Sequence, residues 1–228
     1  MYSSVYEEVV VHIRPLQEQI KVEMRKKGVS SIKNISLDDL VNSITDSKKD
    51  SKVVSTGFLP ENCLSVKISD KLKSVVIWHP RGRCDYTYFN TLYEDFPMPC
   101  LVFGFDIDVS GKVKDYRMAV LDDEKPKPST RLYEYPFSNV YRDTRICIGA
   151  ANSLPVYEHL HTLASLPNLV LSIPNNDQNF NRENNRPHLD YRELLDHLRD
   201  KEPSYYYEHI LVPRKDGKTL RDFIDRNI

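Results

Sequence analysis

A thiol and a carboxamide eight residues apart are the side chains in this chain best spaced to do chemistry together. Asn139 and Cys147 flank Val140-Tyr141-Arg142-Asp143-Thr144-Arg145-Ile146, which reads as a tight turn between two short apolar pairs, so the amide and the thiol can meet. Arg145 stands two residues before Cys147, and in an extended segment side chains at that spacing share a face. A guanidinium there favours the thiolate, the form of cysteine that attacks a carbonyl carbon. Gly149 leaves room above the sulfur. The amide of Asn139 could bond its own turn, or donate to the oxyanion formed when an acyl group on Cys147 is attacked, and the two roles are compatible. Between Ile146 and Ile148, Cys147 also reads as a small buried hydrophobe.

A histidine partner would turn the same cysteine toward hydrolysis. His159 and His161, two apart on an expected helix, would point away from each other and make a poor zinc pair. His188 follows Pro187 in a polar loop, His197 falls in an expected helix, and His209 follows Tyr205-Tyr206-Tyr207, where packing or a partner surface is the ordinary role. Cys63, Cys84 and Cys100 form no CxxC pair with each other or with Cys147, which argues against a disulfide framework and against a zinc site. Asp106, Asp108, Ser110 and Gly111 begin like a calcium loop, but Arg117 occupies the twelfth position, where a bidentate Glu is needed. No metal and no cofactor is expected.

The elements that must position these residues change character along the chain. Val5 to Ile13 suits a strand; Pro15 then opens an expected helix with Leu16, Ile20 and Met24 on one face and Gly28 as its C-cap. Ser36 and Asp39 mark an acidic capping box for a second helix, with Leu37, Leu40, Val41 and Ile44 as its apolar face and an end near Asp46. The Ser/Lys/Asp run from Asp46 to Lys52 reads as a loop. From Phe58 short β-type runs follow: Lys73 to His79 and Asp85 to Phe89 as a hairpin about Pro80 to Arg83, then Cys100 to Ile107 and Val113 to Leu121 about Ser110-Gly111. Helices are expected at Pro155 to Leu166, Leu189 to Leu198 and Leu220 to Ile228. Strands followed by helices argue for an α+β fold, an antiparallel meander sheet with flanking helices, with residues 1–50 as an N-terminal strand/helix extension and 51–228 as the main domain.

At 228 residues the chain can bury a proper core, and a net charge of -1 with interleaved acids and bases offers no stripe for nucleic acid. No basic segment followed by an apolar one opens the sequence, and no apolar run approaches roughly 18 residues, so a cytoplasmic protein without membrane contact is expected.

The spelling NVYRDTRIC at Asn139 to Cys147 resembles the active-site segment of ubiquitin-conjugating enzymes, which runs His-Pro-Asn, a turn, then Ile-Cys-Leu with the same Asn-to-Cys spacing. From about Val9 to Phe223 the chain resembles a bacterial branch, the PRTRC system protein B or prokaryotic ubiquitin-conjugating-enzyme-like family D. The pieces that carry this are Phe58-Leu59-Pro60-Glu61, Val76-Ile77-Trp78-His79-Pro80, Pro97 to Phe103, and Tyr135 to Val140 running into Ile146-Cys147-Ile148-Gly149. The resemblance implies a conjugating-enzyme-like α+β fold whose cysteine accepts a ubiquitin-like protein as a thioester from an adenylating enzyme, with genes for both and for a JAB-type metalloprotease nearby. Phe137-Ser138 replace the usual His-Pro, Thr144 stands where Gly is common, and residues 174–181 read PNNDQNFN where that branch has a histidine. The other class of function such a fold can serve is a non-catalytic interaction module of a mobile-element operon.

Overall fold

Ile20, Val22 and Met24 alternate with Lys21, Glu23 and Arg25, and this period of two decides the N-terminal segment. In the computed structural model, which describes residues 8–14, 19–47, 55–122, 125–149 and 154–226, the chain divides into two compact units, Met1–Ser55 and Thr56–Ile228. In the first, strands β1 (Glu8–His12), β2 (Ile20–Lys26) and β3 (Val29–Ile35) form an antiparallel sheet in that order. The expected helix ending at Gly28 is therefore a strand, and Pro15 and Leu16, where it was to begin, lie outside the described residues. Ile20 and Val22 are buried, and Lys27 and Gly28, both with positive φ (47° and 77°), form the two-residue link to β3 rather than a helix cap. Helix α1 (Leu37–Ser47) starts where Ser36 and Asp39 predict: Asp39 N–H donates to Ser36 Oγ at 3.0 Å and Ser36 Oγ–H to the Asp39 carboxylate at 2.8 Å.

The second unit holds β4 (Cys63–Ile68), β5 (Leu72–His79), β6 (Gly82–Tyr88), β7 (Thr91–Met98), β8 (Leu101–Asp108), β9 (Val113–Leu121) and β10 (Leu132–Tyr133). Five make one antiparallel sheet in the order β10-β9-β8-β5-β4, and β6 and β7 form a separate two-stranded ribbon. The fold is α+β with antiparallel sheets and few helices. One correction follows from the pairing: β5 and β6 do not form the expected hairpin. Val75, Val76 and Ile77 are buried on both faces, so β5 belongs in the sheet interior between β4 and β8, whereas β6 buries alternate residues and suits a ribbon. The β8–β9 pair forms as read, closed by Asp108, whose carboxylate accepts from Ser110 N–H, Ser110 Oγ–H and Lys112 N–H. These bonds hold that carboxyl well below its usual value. They make a turn, and Gly111 is required in it, since a Cβ there would come 2.6 Å from Tyr157 O.

Alternate residues of the sheet feed two cores. Val75, Ile77, Phe103, Phe105, Met118 and Val120 face a large cluster that takes in α2 (Leu166–Leu171), entered through a 3₁₀ turn at Leu160–Ser165, and α3 (Tyr191–Leu198). Val76, Cys100, Val102, Ala119 and Leu121 face Leu220 and Phe223 of α4 (Leu220–Ile224). Of the two helices expected at the C-terminal end, that at Leu189 to Leu198 occurs as Tyr191–Leu198 and that at Leu220 ends at Ile224 rather than Ile228, while the one expected from Pro155 begins only at Leu160. The tyrosine run packs: Tyr206 is fully buried and donates to Pro97 O, and Tyr207 OH accepts from Cys100 N–H. None of the four cysteines forms a disulfide. Among the described residues no helix is long and apolar enough to cross a membrane, and no group of His, Cys, Asp and Glu could hold a metal ion.

Candidate functional site

After β10 the chain turns its aromatic residues inward. Phe137 is 1% exposed, and the rings of Tyr86, Phe96, Tyr135, Tyr191 and Tyr206 surround it at centroid distances of 5.2 to 6.3 Å. This anchor carries the next two residues into the site. Ser138 is fully buried: its N–H donates to Tyr191 OH (3.2 Å), and its hydroxyl bonds Asn175 Oδ1 (3.1 Å) and Tyr191 OH (3.0 Å). Asn139 then adopts φ 62°, a left-handed conformation that Asn tolerates better than most residues.

From Asn139 the chain closes a short hairpin. Cys147 N–H donates to Asn139 O (2.7 Å), Val140 and Ile146 form an antiparallel bridge, and Tyr141 N–H donates to Arg145 O (2.8 Å). The tip, Tyr141 to Thr144, is closed by Thr144 N–H donating to Tyr141 O. Thr144 sits at φ 76°, so the turn takes a conformation that a β-branched residue disfavours. The returning limb is stitched to β9 by Met118 N–H to Thr144 O and Ile146 N–H to Tyr116 O, both 2.8 Å.

Of the three residues singled out by sequence, two are joined directly. Cys147 and Asn139 share a backbone hydrogen bond and line the same narrow cavity of ≈ 20 Å³, with Ser138, Tyr86, Asn175 and Ile173 on its wall. The Asn139 amide nitrogen gives one proton to Pro174 O (3.2 Å), which fixes its plane. Arg145 is placed differently. Its Nε bonds the Asp143 carboxylate at 2.8 Å and its guanidinium lies 5.7 Å from the Tyr141 ring centroid, and among the described residues no hydrogen bond joins it to Cys147. Burial works to raise the Asp143 carboxyl, yet the backbone N–H and guanidinium of Arg145 outweigh it and hold that carboxyl below its usual value. The tip is further tied by Arg214, which donates to Arg142 O and pairs with Glu134 and Asp216. Gly149, two residues after the cysteine, is exposed and has a positive φ of 73°.

Histidine takes no part in this arrangement. His79 bonds Pro80 O and Asn168, His188 faces Glu183, His197 bonds Tyr205, and His209 packs at a tilt against Tyr205; among the described residues no histidine hydrogen-bonds Cys147 or lines its cavity. His159 and His161 do not point apart as expected, because His159 precedes the 3₁₀ turn in extended conformation and the rings stack at 5.7 Å. Sequence reasoning missed Tyr191 and Asn175, which bond Ser138 from 37 or more residues away, and Tyr86, which bonds Tyr191. It missed Tyr116 too, whose phenol is pushed up by burial, then by Asp115 and by the neighbouring Cys147. The only local mark was a lone Ser in an apolar, aromatic run, a polar group that burial obliges to find partners.

No curated protein and no solved structure matches the chain. The model of one family, described as prokaryotic E2 family D, matches residues 36–213, a span that contains the whole Asn139–Cys147 hairpin and every partner that braces it except Arg214 and Asp216. With well over half its length matched, the chain belongs to prokaryotic E2 family D, a family of ubiquitin-conjugating-like proteins.

Proposed function

We propose that Cys147 accepts a ubiquitin-like modifier as a thioester from an adenylating enzyme and passes it to an acceptor. The observation that supports this reading is the hydrogen bond from Cys147 N–H to Asn139 O, which pairs the two residues across one hairpin in a chain of this family. In the first step the Cys147 thiolate attacks the carbonyl carbon of the incoming thioester; the tetrahedral oxyanion collapses and expels the thiolate of the adenylating enzyme. In the second an acceptor amine or thiol attacks the new thioester, the Cys147 thiolate leaves, and the acceptor's proton passes to solvent. Asn139 supports the second step: with one amide proton on Pro174 O, the other is available to the oxyanion. Arg145 takes a lesser part, since its charge is already met by Asp143 and acts on the thiol only as a residual field. The partners are a ubiquitin-like protein and its adenylating enzyme, with a JAB-type metalloprotease of the same operon as a further one; the setting is cytoplasmic.

The test is a non-reducing gel after incubation with ATP and the adenylating enzyme and ubiquitin-like protein encoded beside this gene. A shifted band that thiol reductant removes and Cys147→Ala lacks is the expected result, and Cys147→Ala charging as well as wild type would sink the assignment. Asn139→Ala should still charge but discharge to free lysine about 10²-fold more slowly. A second reading, a non-catalytic interaction module, draws on the pairing of Arg145 with Asp143, which leaves the thiol without a dedicated cation. Slow alkylation of Cys147 by iodoacetamide in the folded protein, together with no charged band, would favour it.

A further inference from the structure

Tyr191 opens α3, where Asp190 N–H bonds the Glu193 carboxylate in a capping box, and its ring is clamped by Phe180, stacked at 4.5 Å, and Tyr88 at 4.6 Å. Its hydroxyl is thereby delivered to a fixed point beneath Ser138. Proton counting then sets the direction of every bond there, because a hydroxyl has one proton to give. Ser138 gives its proton to Asn175 Oδ1, so Tyr191 gives its own to Ser138 Oγ, and Tyr86 gives its own to Tyr191. The remaining lone pair of Tyr191 accepts Ser138 N–H. Burial pushes the Tyr191 phenol up to about 12, so the donor stays protonated through the neutral range.

The far end of this relay reaches the other support of Asn139. Asn175 bonds Ile173 O and Thr87 O through its amide, and its backbone exchanges hydrogen bonds with Thr87 and Phe89. That fastens residues 173–178 to the end of β6. Pro174 O and Gln178 O on this segment accept the side-chain amide and the backbone N–H of Asn139. The residue before Asn139 and the segment whose carbonyl orients its amide are therefore joined side chain to side chain by the bond from Ser138 Oγ–H to Asn175 Oδ1.

We propose that Tyr191 is a positioning residue of the transfer step, its hydroxyl setting the Asn139 amide through the Tyr86–Tyr191–Ser138–Asn175 relay; this rests on the thioester-transfer reading. It touches neither the thioester nor the acceptor. Removing the hydroxyl should leave Cys147 free to charge and blunt only what Asn139 contributes to discharge.

The experiment compares wild type, Tyr191→Phe, Asn139→Ala and the double variant by charging rate and by single-turnover discharge to free lysine, alongside hydrogen exchange of the uncharged proteins. Tyr191→Phe should charge within about twofold of wild type and discharge about tenfold more slowly. The double variant should discharge no more slowly than Asn139→Ala alone, a non-additivity that a merely structural role would not produce. Exchange in peptides covering 136–148 should rise about tenfold while β8 and β9 stay protected. Wild-type discharge by Tyr191→Phe, or additive losses in the double variant, would overturn the proposal. Should wild type itself never charge, the thioester reading fails separately; unchanged exchange at 136–148 would then overturn the positioning claim, and a confined rise would uphold its structural half. Should Tyr191→Phe not fold, Ser138→Ala, which cuts the same relay one bond later, is judged by the same outcomes.

Discussion

The limb that enters the hairpin through Phe137 and Ser138 and the limb that leaves it through Asp143 and Arg145 are paired strand to strand, yet different forces hold them. On the entering side, an aromatic ring in a cage of rings and a fully buried hydroxyl make the backbone part of the main core. On the returning side the backbone is held to β9, but the side chains of Asp143 and Arg145 are 55% and 56% exposed and mostly satisfy each other. Asn139 and Cys147 are both half-buried, but Asn139 follows directly on the buried limb whereas Cys147 follows the exposed one. On the proposed function, that division would suit an amide whose orientation matters and a thiol that two large partners reach in turn.

If the division is real, mutational cost should fall steeply from one limb to the other. Phe137→Ala removes the ring at the centre of the aromatic cage and should destabilise by about 3–5 kcal/mol, read from urea unfolding. A cost under about 1 kcal/mol would mean that the cage repacks without it and that the entering limb is not anchored as described. Asn175→Ala strips Ser138 of its acceptor and takes the side-chain donor from Ile173 O, while Thr87 O keeps the bond from the backbone N–H of residue 175, for a cost of about 2 kcal/mol. Its effect should be coupled to that of Ser138→Ala, since the two residues share a bond.

The same contrast explains what the sequence disclosed. Elements fixed by near neighbours were legible: the Ser36–Asp39 cap, the β8–β9 pair about Ser110-Gly111, and the turn between Asn139 and Cys147. Where two periods fitted one string, the reading went astray. Ile20 and Met24 suit a helix face, but Ile20, Val22 and Met24 suit a strand, and the partner strands β1 and β3 decided between them. Partner choice hid the β6–β7 ribbon as well: β5 turns toward β4 and β8 because both its faces are apolar, a preference that its connection to β6 does not reveal. The relay was invisible for a related reason. Tyr191 lies 53 residues from Ser138, and nothing near Tyr191 in sequence marks its hydroxyl as a support for the hairpin.

On the returning limb the expected changes are small and one has the opposite sign. Thr144 at φ 76° carries the strain of a β-branched residue in the left-handed region, about 1–2 kcal/mol, and glycine would remove it. Because glycine also loses more chain entropy on folding, by about 0.5–1 kcal/mol, Thr144→Gly should stabilise by only about 0.5–1 kcal/mol. A melting temperature lower than wild type would show that the Thr144 side chain makes a contribution beyond its backbone geometry.

The smallest effect is expected at Arg145, and its pH dependence identifies its source. With both members of the pair more than half exposed, Arg145→Ala should cost at most about 0.5 kcal/mol near neutral pH. The folded-state Asp143 carboxyl lies below the 3.8 of its unfolded counterpart. A depressed carboxyl contributes stability that is present above the unfolded value and lost as pH falls through the folded one. The difference in stability between wild type and Arg145→Ala should therefore shrink as pH drops below 3.8 and vanish once Asp143 is protonated. Asp216, held at about 2 by Arg214, would still be ionised over most of that window, so the anchor at Arg142 O would outlast the ion pair at the tip. A difference that persisted unchanged into acid would locate the effect of Arg145 in its stacking on Tyr141 instead.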